Sequence, residues 1–172
     1  MTDIKLFERW VKNALKDQFV FMPCEKFFMV IDGYTGFKIP NKFSSYKKVI
    51  KKLTFQDLKS GFSVKKGELR EWNNLDILLE YFNISNKTKT TMLPFTYDRS
   101  TKMQIFKAND ELIFVDKQLL KNINIENYEI YAESPITPLV FESEDITYIT
   151  LPIRMNGFKY TIEEKQGELR CI

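Results

Sequence analysis

Four basic side chains, Lys5, Arg9, Lys12 and Lys16, stand at i, i+4, i+7 and i+11 near the start of the chain. At roughly 100° per residue, a helix draws that spacing into one narrow stripe. Leu6, Phe7, Trp10, Val11 and Ala14 fall on the opposite side and would pack on a sheet. A cationic row of this kind can follow a phosphate backbone, release its counterions and read no base sequence. The same row also suits a plain solvated face. Lys117 and Lys121 repeat the division at i, i+4, with Leu119, Leu120 and Ile123 turned away. Lys47, Lys48, Lys51 and Lys52 make a denser cluster, and whether it joins the first stripe is open at this level. All ten basic residues are candidates for nucleic-acid contact.

Other chemistries are mostly closed. The chain has no histidine, which removes Ser-His-Asp and Cys-His nucleophile pairs, imidazole bases and His-ligated zinc. Its two cysteines, Cys24 and Cys171, give neither a CxxC site nor a disulfide framework. No G-x-x-x-x-G-K loop occurs. The carboxylate pairs Glu142/Glu144, Glu163/Glu164 and Asp110/Glu111 lie beside turns and could hold Mg²⁺, but nothing frames them as a two-metal site. The expectation is a non-catalytic protein with no cofactor, no metal and no small-molecule substrate. Trp72, Tyr81 and Phe82 are the candidate anchors for a protein partner, since buried aromatics dominate such interfaces.

Size and charge bound the class. A chain of 172 residues can bury one sizeable core without staples. The net charge of +3, from 26 basic and 23 acidic residues, does not by itself mark a nucleic-acid binder, so the location of the cations matters more than their sum. No apolar run reaches the ~18 residues of a membrane span, and charges run through the first helical segment, so a soluble cytoplasmic protein without membrane association is expected. Abundant Lys, Asn, Ile and Phe suit an AT-rich coding source such as a low-GC bacterium or its phage.

The elements that would hold these residues read as follows. Thr2 to Gln18 has helical periodicity, with Thr2 and Asp3 as caps. Strand-like runs follow at Phe19 to Met22, Lys26 to Ile31 and Gly36 to Ile39, with Asp32-Gly33 as a turn. Tyr46, Val49, Ile50 and Leu53 predict a helix over Ser44 to Leu53, and Leu69, Trp72, Leu75, Leu78 and Phe82 predict another over Gly67 to Phe82. Asn83 to Thr91 reads as a loop. Met103 to Lys107 and Leu112 to Val115 read as a hairpin around Asn109-Asp110, and Asp116 caps a short helix through Ile123. Strands at Tyr128 to Ala132, Pro138 to Glu142 and Ile146 to Arg154 precede an Asn156-Gly157 hairpin into Phe158 to Ile162.

Both ends of the chain therefore show a helix and a three-stranded meander, with similar third strands: Gly36-Phe37-Lys38-Ile39-Pro40 and Ile149-Thr150-Leu151-Pro152-Ile153-Arg154. This reads as one α+β domain over 1–172, pseudo-twofold, built of two αβββ halves. The first half is 1–40, a helical insertion fills 41–91, the second half is 92–155, and an extra C-terminal strand occupies 156–172. Chance similarity of two αβββ stretches is the competing explanation.

The stretch Ile113 to Met155 resembles the closing part of bacterial β sliding clamps, the DNA polymerase processivity factors. The similarity lies in Phe114-Val115-Asp116-Lys117-Gln118-Leu119-Leu120-Lys121-Asn122-Ile123, Tyr128-Glu129-Ile130-Tyr131, Ser134-Pro135-Ile136-Thr137-Pro138-Leu139-Val140-Phe141, and Tyr148-Ile149-Thr150-Leu151-Pro152-Ile153-Arg154-Met155. It covers about a quarter of the chain. In that family the helices line the DNA-facing surface, which would place Lys5, Arg9, Lys12, Lys16, Lys117 and Lys121 there. A clamp subunit has three such domains and closes as a dimer, whereas this chain holds about one, so encircling DNA would require a homo-oligomer of about six copies.

Two functions follow as expectations. One is a clamp-like protein associating with duplex DNA or the replication machinery through its basic helix faces. The other is a phage-encoded inhibitor that binds a host replication or defence protein, in the manner of an anti-CRISPR.

Overall fold

In the computed structural model, which describes residues 4–98 and 101–155, the first amphipathic segment forms α1 (Ile4–Asp17). Its apolar side, Phe7, Trp10, Val11 and Ala14, is buried. Three strands follow without a break: β1 (Gln18–Pro23), β2 (Phe27–Ile31) and β3 (Thr35–Pro40). Their interiors are buried at consecutive positions, as strands covered on both faces must be. Alternate residues accordingly separate into two cores. Phe19, Phe21, Phe28, Val30, Phe37 and Ile39 point towards α1 and α2 (Ser44–Thr54), while Val20, Met22, Met29 and Ile31 point to the far face, which α3 (Leu75–Phe82) covers.

The second part of the chain extends the same sheet. After β4 (Phe62–Lys65), β5 (Glu68–Glu71), β6 (Thr88–Lys89), β7 (Thr91–Asp98), β8 (Lys102–Ala108) and β9 (Glu111–Asp116), a 3₁₀ turn at Leu119–Asn122 leads to β10 (Glu129–Ala132), β11 (Leu139–Glu142) and β12 (Thr147–Thr150). The large sheet has the order β5-β4-β1-β2-β3-β12-β11-β10-β6, and β7-β8-β9 form a separate three-stranded sheet. The strands whose sequences look alike are neighbours: β3 and β12 pair antiparallel, with Gly36 opposite Ile149 and Phe37 opposite Tyr148. Gly36 is needed at this seam, because a Cβ there would sit 2.8 Å from the Val30 carbonyl oxygen. The chain is thus a mixed α and β fold with three α-helices and antiparallel sheets among the described residues.

Several expectations change. Gly67 to Phe82 is not one helix. Lys66 and Gly67, both at positive φ (50° and 82°), turn the β4–β5 hairpin, and only Leu75–Phe82 is helical. The hairpin forms because β4 pairs with β1, a partner 40-odd residues away in sequence that outweighs the local helical spacing. The stretch 41–91 is therefore not purely helical. The loop expected at Asn83 to Thr91 contains β6 and the start of β7. The helix expected after Asp116 is only the 3₁₀ turn: Asp116 does accept the Gln118 N–H at 2.8 Å, but Lys117 lies in the approach, its N–H held by the Lys102 carbonyl at 2.9 Å. The last strand stops at Thr150, after which Leu151 donates to Tyr34 and Ile153 to Phe114 on the edge of the small sheet. The Asn109-Asp110 hairpin is present, with Asn109 at φ 54°. Thr2, Asp3, the Asn156-Gly157 hairpin with its strand, Glu163/Glu164 and Cys171 lie outside the described residues.

Candidate nucleic-acid interface

The lysine row of α1 is placed by what the other side of the helix holds. Trp10 Nε1–H donates to Thr35 Oγ1 at 2.8 Å, and the Thr35 hydroxyl donates in turn to Asp32 Oδ2 at 3.0 Å. Asp32 Oδ1 also accepts the N–H groups of Tyr34 and Thr35. This chain of bonds ties the rotation of α1 to the β2–β3 turn, so the helix cannot roll without leaving buried polar groups unpaired. With the apolar side fixed, Lys5, Arg9, Lys12 and Lys16 are all exposed.

Aromatic contacts align the neighbouring elements with α1. Tyr46 of α2 meets Phe7 of α1 edge-on at 4.9 Å, Phe7 meets Phe37 of β3 at 5.5 Å, and Phe37 meets Tyr148 of β12 at 4.8 Å. The Tyr148 hydroxyl then donates to the Leu119 carbonyl at 2.6 Å, at the head of the 3₁₀ turn. Full burial pushes that phenol far above its ordinary pKa, so it stays a donor. One continuous buried path thus links α2, α1 and the turn on the same side of the sheet, and α1 touches both of the others.

The structure answers what spacing left open: the α2 cluster adjoins the α1 row. Glu8 of α1 lies 2.9 Å from Lys12 Nζ and 3.8 Å from Lys52 Nζ of α2. The hydrogen bond and charge of Lys12, with the charge of Lys52, hold this carboxyl below its usual range. Across the two helices eight basic residues face two acidic ones, Glu8 and Asp17, and Glu8 is engaged between the rows. Lys48, Lys51 and Lys52 are exposed, whereas Lys47 is half-buried with its Nζ 5.5 Å over the Phe28 ring. Lys16 donates to Asn13 at 3.3 Å. Lys117 and Lys121 are exposed on and beside the 3₁₀ turn. Glu8 could have been found in the sequence, since Glu-to-Lys at i, i+4 is a helix-pair signal.

Replacing Glu8 by Gln is expected to strengthen duplex binding a few-fold by removing the negative charge between the rows, read by fluorescence anisotropy at low salt. Its pH dependence follows from the lowered pKa. The ion pairs are fully present above the unfolded carboxylate pKa and are lost as pH falls through the lower folded value. Binding by the parent protein should therefore rise in that acidic window, and binding by E8Q should not.

The residues expected to anchor a protein partner are elsewhere. Trp72, Tyr81 and Phe82 sit with α3 on the opposite face of the large sheet. Phe82 is only 4% exposed, being one of the side chains that seal α3 to the sheet, so it is core and not an anchor. Trp72 is half-buried, and with Tyr34, Ile77, Leu78 and Tyr81 it lines a groove of about 380 Å³. Glu142 and Glu144 border an open depression that also takes in Glu126 and Glu129, while Asp110 and Glu111 stand exposed at the β8–β9 turn. Among the described residues, no group of three or more acidic, cysteine or histidine side chains is placed to share a metal ion, and no helix is long and apolar enough to cross a membrane.

No protein-family model matches the chain, and no curated protein matches it. Among solved structures it is similar to one assigned as a DNA polymerase III beta subunit, from Eubacterium rectale, at 12% identity and a TM-score of 0.40. That alignment covers 91% of this chain and 65% of the other, so the chain spans just under two-thirds of its length. At this degree of likeness the functional reading rests on the chain's own geometry.

Proposed function

We propose that the α1–α2 face is a phosphate-backbone surface, and that the chain is a non-catalytic, clamp-like protein associating with duplex DNA without reading its sequence. The observation that carries this reading is the junction at Glu8, which makes two lysine rows on separate helices into one exposed cationic surface. Lys5, Arg9, Lys12, Lys16, Lys48, Lys51 and Lys52 are the contacting groups in this account, with Lys117 and Lys121 extending the surface at the turn and Lys47 contributing charge from over Phe28. The clamp-like part is supported by the sheet order, read as two three-stranded halves that meet at the β3–β12 pair. A single pseudo-twofold domain and a ring of copies belong to the same proposal.

The test is salt. Duplexes of unrelated sequence are expected to bind equally, with log K falling linearly against log salt between about 50 and 200 mM. Absence of binding at low salt would remove the proposal. It would favour the second reading, a protein-binding inhibitor of a host replication or defence protein, which draws on the α3 groove with exposed Tyr34, Ile77 and Tyr81 at its edge.

A further inference from the structure

One aromatic on the cationic side is not packed. Phe55, immediately after α2, is 88% exposed and adopts φ 58°, ψ 17°, the left-handed conformation in which a helix ordinarily ends on glycine or asparagine. A phenylalanine there bears both a steric penalty and the cost of a hydrated ring. The turn that presents it is not loose. The Phe55 N–H donates to the Lys51 carbonyl at 2.9 Å, Thr54 Oγ1 to the Ile50 carbonyl at 2.9 Å, and the Gln56 N–H to Thr54 Oγ1 at 3.3 Å. Leu53 and Leu58, on either side, are packed against the core, so neighbouring apolar side chains turn inward while Phe55 is held out. Lys51 and Lys52 are exposed just before it, and Asp57, just after it, is paired with Lys59 at 3.6 Å.

We propose that Phe55 is a stacking platform for an unpaired nucleobase, so that the α1–α2 face takes single-stranded nucleic acid, or a frayed end, in addition to duplex. A ring held out to water by a hydrogen-bonded turn, three and four residues after two exposed lysines, offers both halves of single-strand recognition: a π-face for any base and cations for the flanking phosphates. The interior of a duplex, where every base is covered on both faces by its neighbours, has no free base to lay on the ring. This inference rests on the reading of the face as a phosphate surface, and it names the substrate class of that surface.

The experiment compares parent protein, Phe55→Gly, Phe55→Trp and the double charge reversal K51E/K52E. Each is titrated with an unstructured oligodeoxynucleotide, its RNA counterpart and a blunt duplex. F55G is expected to lose about tenfold in single-strand affinity with duplex affinity unchanged, while its melting temperature rises because glycine relieves the left-handed strain. F55W is expected to keep single-strand affinity and to show tryptophan quenching on binding. Equal loss on the DNA and RNA strands supports stacking on the base alone, and a larger loss on one identifies which strand the site accepts. Unchanged single-strand affinity in F55G, with binding still abolished by K51E/K52E, overturns the inference and leaves the phosphate reading standing. Absence of binding to every probe by the parent protein overturns both. If F55G instead changes the oligomeric state seen by light scattering and not the single-strand affinity, the ring is a protein contact and the inference is overturned.

Discussion

Reversing Lys5, Arg9, Lys12 and Lys16 to glutamate is expected to weaken duplex binding at least about a hundredfold at low salt, and to lower the slope of log K against log salt by about three to four. Each of these side chains is exposed, and none belongs to the buried layer of Phe7, Trp10, Val11 and Ala14. Exposed substitutions of this kind cost little in stability individually, so the variant should fold and keep its circular dichroism spectrum. The contacts broken include Lys12 with Glu8, a surface pair that stabilises little, and the exposed Lys16–Asn13 hydrogen bond. Reversal of Lys117 and Lys121 should have a smaller effect, since only two charges are involved and they sit beside and on a 3₁₀ turn in place of the short helix expected there. A folded quadruple variant that binds duplex like its parent would show that the α1 stripe is only a solvated face.

Phe7→Ala carries the largest expected stability cost. Phe7 is fully buried and sits where three rings converge: Tyr46 at 4.9 Å, Phe37 at 5.5 Å and Trp10 at 5.9 Å. Truncation of a buried phenylalanine costs about 3–5 kcal/mol through lost transfer energy and the cavity left behind. Here the cavity opens between α1, α2 and β3 at once, so little can collapse into it. Urea denaturation should show the midpoint falling at unchanged slope. In the fraction that stays folded, α1 loses its registration with α2, and the two lysine rows should bind duplex more weakly although no cation has been changed. A loss below about 1 kcal/mol would mean that the three-ring junction is not the core described here.

The parts of this architecture that were legible before the structure are those set by local periodicity. The α1 stripe and its buried side, the α2 spacing through Tyr46 and Ile50, and the Asn109-Asp110 hairpin each depend on residues within a few positions of one another. What was illegible depends on distant partners. All four residues of β5 are exposed, and Glu68, Arg70 and Glu71 put charges along the outer edge of the large sheet, so no alternation of apolar residues announces a strand. Such charged edges discourage pairing with another chain, which explains the composition but hides the element. Phe82 looked available because helical spacing does not say which flank of α3 meets the sheet, and it proved to be sealed against it. The Lys52–Glu8 contact joins residues 44 positions apart, and only the packing of α2 beside α1 creates it. Phe55 sends no signal in the sequence, since its exposure and left-handed backbone are properties of the turn.

The most direct measurement of the central claim is a nuclear magnetic resonance titration of the isotope-labelled protein with a short duplex. Shifts are expected at the backbone amides of α1 and α2 around Arg9, Lys12, Lys48 and Lys52, reversing as salt is added. The indole N–H of Trp72, beside the α3 groove on the opposite side of the sheet, should stay in place. Shifts at Trp72 and along α3 with α1 unmoved, or no shift anywhere at low salt, would contradict the account.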